Sequence, residues 1–203
     1  MARTQAERSQ TTISGLIAVA RARFGTDGYA GTSIEDIVSA AGVTRGAFYH
    51  HFESKIDVFR AVVESEQRTM TRFIIKGSES YQRAWERFRA GCRLFLDVCL
   101  NPSVRRILLL DGPAVLGWEA EREIEAGYTL ALLRDGLRAA AQEERLTAHD
   151  VDTLAPLLFA TLAEGGRLIA KAAHPRQVLR RVSATVDRLL EGIRRSGRDS
   201  ATT

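Results

Sequence analysis

The sequence predicts an all-α protein, and three observations carry that prediction. Apolar residues recur at three- and four-residue spacing in segments from Ile13 to Ile193, and from Ser80 onward no strand-like alternation occurs. Gly25, Asn101-Pro102 and His174-Pro175 each stop a periodic segment. Residues 32–55 hold two short helical segments around a glycine turn, each with its own start signal. A chain of 203 residues, 45% apolar, can bury one large helical core or a small one beside a larger one.

Residues 1–10 are polar and read as a frayed lead-in. A first helix follows, with Ile13, Leu16, Ile17, Ala20 and Phe24 on one face, ending at Gly25. Gly25, Gly28 and Gly31 make the next segment a loop. Thr32 is then read as the cap of a second helix, with Glu35 completing a capping box. Ile34, Ile37, Val38 and Ala41 give that helix its core face, and Gly42 can take the left-handed conformation that ends it. Thr44 caps a third, short helix, and Val43 and Phe48 are placed to form a hydrophobic staple across its start. Arg45, Gly46, Tyr49 and His50 point away from Phe48. Two helices joined by a tight turn containing glycine describe a DNA-reading helix-turn-helix, whose second helix enters the major groove.

The stretch GTSIEDIVSAAGVTRGAFYHHFESKIDVFRAV resembles the N-terminal domain of the tetracycline-repressor-like (TetR) family of bacterial transcriptional regulators. The resemblance is carried by the Thr-Ser opening, Ala-Gly-Val at the turn, Phe-Tyr-x-His-Phe at residues 48–52, and Ser54-Lys55 at the next helix. It covers residues 10–70 by motif and the remainder by length and helical layout. It implies a three-helix DNA-binding domain over residues 10–70, with the helix-turn-helix at 33–52. A larger helical domain over residues 78–197 would bind an effector and form a homodimer, giving about nine helices in all.

Within that frame Arg45 either reads a guanine edge or is a solvated surface arginine, and Gly46 lets the helix approach the bases. Tyr49, His51 and Lys55 match family positions that contact phosphate, and His50 and His51 are interchangeable in role. Thr44 belongs to the same reading segment. Thr32 and Ser33 are further phosphate candidates at the start of the helix that crosses the backbone.

Ser54 and Asp57 form a capping pair that opens a longer helix. It carries Ile56, Phe59, Val63, Met70, Phe73 and Ile74, and runs to Lys76 as the link between the halves. A helix from Ser80 to Leu100 carries Trp85, Phe88, Cys92, Phe95 and Cys99. A short one over 103–110 is broken by Asp111-Gly112-Pro113, and a long one spans Gly117 to Glu144. The last two run from His149 to Ala172 and from Pro175 to Arg195, before a disordered tail from Gly197.

Val151, Leu154, Leu158, Leu162, Gly165, Leu168 and Ile169 line one of these two helices, and Val178, Val182, Val186, Leu189 and Ile193 the other. The resemblance implies that this pair joins the same pair of a second subunit in a four-helix bundle; the alternative is that it completes the subunit's own core. A two-fold protein matches palindromic half-sites roughly 34–36 Å apart.

Trp85, Phe88, Cys92 and Phe95, with Trp118, Tyr128 and Phe159, line an effector pocket or form ordinary core. The resemblance implies a small hydrophobic or amphipathic effector that shifts the linking helix and releases double-stranded DNA. Repression and activation both stay open, as does a regulator without an effector.

Enzyme classes find no support in the sequence. It holds no Gly-x-Ser-x-Gly elbow, no phosphate loop and no His/Cys/acid cluster at metal spacing, with His149 and His174 at opposite ends of one helix. No cofactor is expected. Cys92 and Cys99 lie two helical turns apart, too far to bridge, and read as a reduced buried pair. No run of about 18 apolar residues suggests a membrane span. The first residues lack an apolar signal core, so a cytoplasmic location is expected.

The net charge of +4 is a weak pointer to DNA, since residues 1–60 hold seven Arg/Lys against six Asp/Glu. DNA binding must therefore rest on local placement: Arg45 and Lys55 at the contact face, with Arg3 and Arg8 in the lead-in.

Overall fold

The computed structural model describes residues 5–144 and 150–199. Expectations placed on Arg3, His149, the Arg8 side chain and the last four residues lie outside that description. Among the described residues every regular element is helical. In order they are α1 (Gln5–Asp27), α2 (Ile34–Ala41), α3 (Arg45–Tyr49), α4 (Lys55–Ser78), α5 (Ala84–Val98) and α6 (Pro102–Val104). A π-helical segment (Arg105–Asp111), α7 (Gly112–Leu116), α8 (Trp118–Gly127), α9 (Thr129–Glu144), α10 (Val151–Lys171) and α11 (Pro175–Asp199) follow.

This is more segments than expected, and each difference has a local cause. Helix α1 starts at Gln5 rather than after residue 10, and passes Gly25 to stop at Asp27, where Gly28 takes φ +79°. The Asp111-Gly112-Pro113 stretch does not break the chain's helical path: a proline near a helix start loses no hydrogen bond, so α7 follows the π segment directly. The stop comes at Gly117, also at φ +79°. The single long helix expected over 117–144 is two, α8 and α9, divided at Gly127-Tyr128, where the weakest non-proline helix former sits. Helix α11 continues to Asp199, so the start of the expected disordered tail is helical.

The chain divides into two compact units. One comprises the residues up to Glu66 together with Pro102–Glu121; the other comprises Gln67–Asn101 with Arg122 onward. Residues 102–121, which the sequence places with the C-terminal helices, thus cluster with the first three helices.

In the first unit α1 packs on α2, α6 and the π segment. Leu16, Ala20, Phe24, Ile37, Phe48, Val58, Phe59 and Val62 are fully buried and form its core. Phe59, Val63, Met70 and Ile74 of the stripe expected on α4 are buried, joined by Val58 and Val62, while Ile56 and Phe73 are exposed. Arg21 of α1 makes a two-pronged ion pair with the buried carboxylate of Glu66 on α4, its second bond being 3.3 Å. A carboxylate this buried is stable as an ion only with such a partner.

In the second unit α5, α9, α10 and α11 pack on one another. A Cβ at Gly165 would lie 2.7 Å from Val182 on α11 and 3.2 Å from Leu96 on α5, so glycine is what lets these helices meet. Contrary to expectation, α10 is long and apolar enough to cross a membrane by length and composition. Ala155, Leu158, Phe159, Leu162, Ala163 and Ile169 turn its apolar face into the unit's core. Two leucines of the stripes read on these helices are exposed within the subunit, Leu168 on α10 by 52% and Leu189 on α11 by 47%.

Candidate DNA-reading head and ligand cavity

The helix-turn-helix is built from the local signals read in the sequence, except that its first capping box lies one residue later. Ser33, not Thr32, caps α2: its hydroxyl accepts from Asp36 N–H at 3.1 Å, and the Asp36 carboxylate accepts from Ser33 N–H at 2.8 Å. These bonds from Ser33 hold the Asp36 carboxyl below its ordinary pKa. Thr32 is only 2% exposed and donates its hydroxyl to Gly28 O at 2.8 Å, which takes it off the surface where a phosphate would lie.

Gly42 closes α2 at φ +65°, ψ +30°, with its N–H on Ser39 O (3.2 Å) and the Val43 N–H on Val38 O (3.1 Å). That paired arrangement satisfies the last carbonyls of a helix and needs a left-handed residue at its centre. Thr44 then caps α3 by accepting from Ala47 N–H at 3.1 Å.

Helix α3 is five residues long and is anchored by one side chain. Phe48 is fully buried, 5.7 Å from the ring of Phe52. Arg45, Gly46, Tyr49 and His50 consequently stand on the exposed side. Arg45 bonds Glu35 of α2 at 2.7 Å, and its guanidinium lies 5.6 Å from the centre of the Tyr49 ring. The Tyr49 hydroxyl and then the Glu35 charge push the Arg45 pKa further above its ordinary value. Both partners are exposed, so they orient the guanidinium without tying it down. A Cβ at Gly46 would meet nothing nearer than Thr44 Oγ1 at 3.9 Å, so nothing within the protein demands glycine there. The His50 and His51 rings stand edge to face, 4.8 Å apart.

Lys55 faces inward, toward the head itself. Its ammonium donates to Tyr29 O at 3.0 Å and Thr32 O at 2.9 Å, and sits 4.1 Å from the centre of the Tyr29 ring. From the other side the Tyr29 N–H donates to Asp111 Oδ2 at 2.8 Å, and Arg106 donates to Thr26 O at 2.7 Å. The loop that launches α2 is therefore held by the first residue of α4 and by the π segment. No sequence signal pointed to Tyr29, Arg106 or Asp111, because the two sides of these contacts are about eighty residues apart.

The second unit holds a cavity of about 440 Å³ between α4, α5, α9 and α10. Four of the seven expected pocket residues line it: Phe88, Cys92, Phe95 and Phe159. The other three do not. Trp85 is fully buried on another side of α5, with the Arg194 guanidinium 5.4 Å from its ring. Trp118 begins α8 and is 68% exposed. The Tyr128 hydroxyl accepts from Arg68 at 3.3 Å, outside the cavity wall.

The wall residues that the sequence reading missed include Ile74, Ser78, Thr129 and Leu133. Gly91 and Gly136 also line it, with a Cβ at Gly136 lying 3.2 Å from Phe88. Glycine in the interior of an otherwise regular helix was the available signal for such a place. Burial, and then the Asp187 charge, pushes the Cys92 thiol up to about 12. It is a neutral wall atom rather than a nucleophile.

Comparison with known proteins agrees with both halves. Residues 16–62 match the family model described as bacterial regulatory proteins, tetR family, and residues 85–193 match tetracyclin repressor-like, C-terminal domain. The TetC protein of transposon Tn10 from Escherichia coli is 29% identical over 154 residues, 76% of this chain and 78% of its own. The probable acrEF/envCD operon repressor of E. coli K12 is 47% identical over 158 residues, 74% of this chain and 70% of its own. The crystal structure of a TetR-family transcriptional regulator from Pectobacterium atrosepticum superposes with a TM-score of 0.83 at 32% identity, over 94% of this chain and 97% of that one. The capped turn, the anchored recognition helix and these matches to both halves together show that the chain is a DNA-binding transcriptional regulator of the TetR family.

Proposed function

We propose that this regulator is a homodimeric repressor that binds a palindromic operator and leaves it when a small molecule enters the cavity. The observation that carries the reading is α3 itself, anchored by Phe48 with Arg45, Gly46, Tyr49 and His50 outward. Arg45 is the base reader, with two donors suited to a guanine edge. Ser33, Thr44, Tyr49, His50 and His51 serve the phosphates on either side, which fix register without carrying sequence information. The reading head corresponds to residues 10–66 with 102–121 clustered beside them, and the effector and dimer half to 67–101 and 122–197. The protein works in the cytoplasm, where its DNA is.

Dimerisation is supported by the outer row of α10. Leu157 is 61% exposed and Leu168 52%, with Thr161 and Glu164 between them at helical spacing. The two exposed leucines are what a second copy would cover, with Thr161 and Glu164 as the polar positions between them. The repressor role draws support from the relative named as a probable operon repressor.

The test is selection of bound duplexes from a random DNA pool by the purified, folded protein at a stated salt concentration. An enriched palindrome with half-sites roughly 34–36 Å apart is the expected result. Enrichment of a lone half-site, or of nothing, would overturn the dimeric-reader scheme.

A further inference from the structure

The hydrogen-bonding direction of the cavity wall narrows its ligand. We infer that the cavity takes a neutral, largely aromatic molecule carrying an O–H or N–H donor, a phenol or an aryl amine, and not a carboxylate. This rests on the reading of the cavity as the effector site. Phe88, Phe95 and Phe159 supply the aromatic surface, Phe95 and Phe159 standing edge to face at 5.9 Å. A further ring can join such a set in the same geometry.

The wall's two buried hydroxyls have already given away their hydrogens. Ser78 Oγ donates to Ile74 O at 2.8 Å within its own helix, an assignment fixed because a carbonyl can only accept. Thr129 Oγ1 donates to Gln67 Oε1 at 2.9 Å. Each oxygen therefore offers the cavity lone pairs and no proton. Arg87 is the one cation among the described lining residues; it is exposed, and its Nε and one terminal nitrogen both donate to Tyr81 O, at 3.1 and 2.8 Å. Glu79, the lining carboxylate, is exposed as well. A carboxylate drawn to the buried hydroxyls loses its water and finds no donor there, since the remaining Arg87 N–H groups belong to an exposed side chain. A phenol loses little, because its O–H finds Ser78 Oγ or Thr129 Oγ1.

Calorimetric titration of the full chain with naphthalene, naphthol and naphthoate separates the possibilities, since the three share a ring system and differ in the polar group. Naphthol should bind about three- to tenfold more tightly than naphthalene, the worth of one hydrogen bond. Naphthoate should bind about a hundredfold more weakly than naphthol. Ser78→Ala combined with Thr129→Val should erase the advantage of naphthol while leaving naphthalene binding in place.

Naphthoate binding as tightly as naphthol would overturn the inference and give the choice of ligand to Arg87. Equal binding of naphthol and naphthalene would overturn it too, while leaving the cavity as the site. Failure of all three to bind folded protein would instead sink the reading of the cavity as an effector site.

Discussion

Lys55 offers the sharpest contrast between what the motif implies and what the structure holds. As a phosphate contact it would leave the head intact when removed and weaken every DNA sequence equally. In the structure it ties Tyr29 O and Thr32 O to the start of α4 and covers the Tyr29 ring. Charge-assisted hydrogen bonds are worth about 1.5–3 kcal/mol each when buried, and a cation over a ring about 0.5–1 kcal/mol at exposed sites. Lys55 is half-buried, so solvent screening takes each contact below the lower end of its range and the clamp is worth about 2–3 kcal/mol.

Lys55→Met keeps the stem and removes the ammonium. It should lower the melting temperature by about 5–10 °C for a chain of this size. Operator affinity should fall about tenfold or more, because the loop that launches α2 is no longer fixed. The decisive quantity is the slope of log affinity against log salt, measured by fluorescence anisotropy from 50 to 200 mM, on the order of the range where counterion release shows. A positioning residue leaves that slope unchanged, whereas loss of a phosphate contact reduces its magnitude by about 0.9. An unchanged melting temperature with a shallower slope would refute the clamp.

Four further outcomes follow from the geometry. Arg45→Ala should reduce specific binding about ten- to a hundredfold and relax preference at one base pair, read by competition with single-base operator variants. Gly46→Ala should raise the melting temperature slightly, since alanine is the better helix former by up to about 1 kcal/mol and has room there, while weakening operator binding by blocking close approach. Leu168→Glu should yield folded monomer at micromolar concentration in sedimentation, because the side chain is exposed within one subunit.

Cys92 and Cys99 are both pushed up to about 12, mainly by burial, so a thiol reagent at pH 8 should label neither in the native protein and both after denaturation. The unfolded thiols ionise near their ordinary 9.0 while the folded ones stay protonated, so stability should also decline as pH rises from 9 toward 12.

The reading head was legible because its signals act over a few residues. Gly42, Thr44 and Phe48 each do locally what their spacing implies. The slip from Ser33 to Thr32 shows the limit of such signals. Two adjacent hydroxyls precede two adjacent acids, and what decides between them is the bond from Thr32 to Gly28 O, which buries Thr32. The pocket was half legible for a different reason. An aromatic stripe marks an apolar face, and neither spacing nor composition says whether that face meets another helix or an opening. Trp85 turns to Arg194 while Phe88, three residues on, turns to the cavity. The return of residues 102–121 to the head left no local trace, because Asp111 has meaning only beside Tyr29.

Helix α4 brings the two kinds of site onto one element. Its last turns supply Ile74, Ile75 and Ser78 to the cavity wall, and Gln67 accepts from Thr129 on α9. Its first residue is Lys55. In the proposed scheme a ligand must therefore favour an arrangement of α4 that the DNA-bound form does not have, since equal affinity for both forms shifts nothing. A hundredfold preference supplies about 2.7 kcal/mol. That matches the 2–3 kcal/mol assigned above to the Lys55 clamp. In that scheme, loosening one ammonium from two carbonyls would be an effect of the right size to release DNA. The same comparison explains why Lys55→Met should resemble the ligand-bound protein, weak on its operator and little changed by adding ligand.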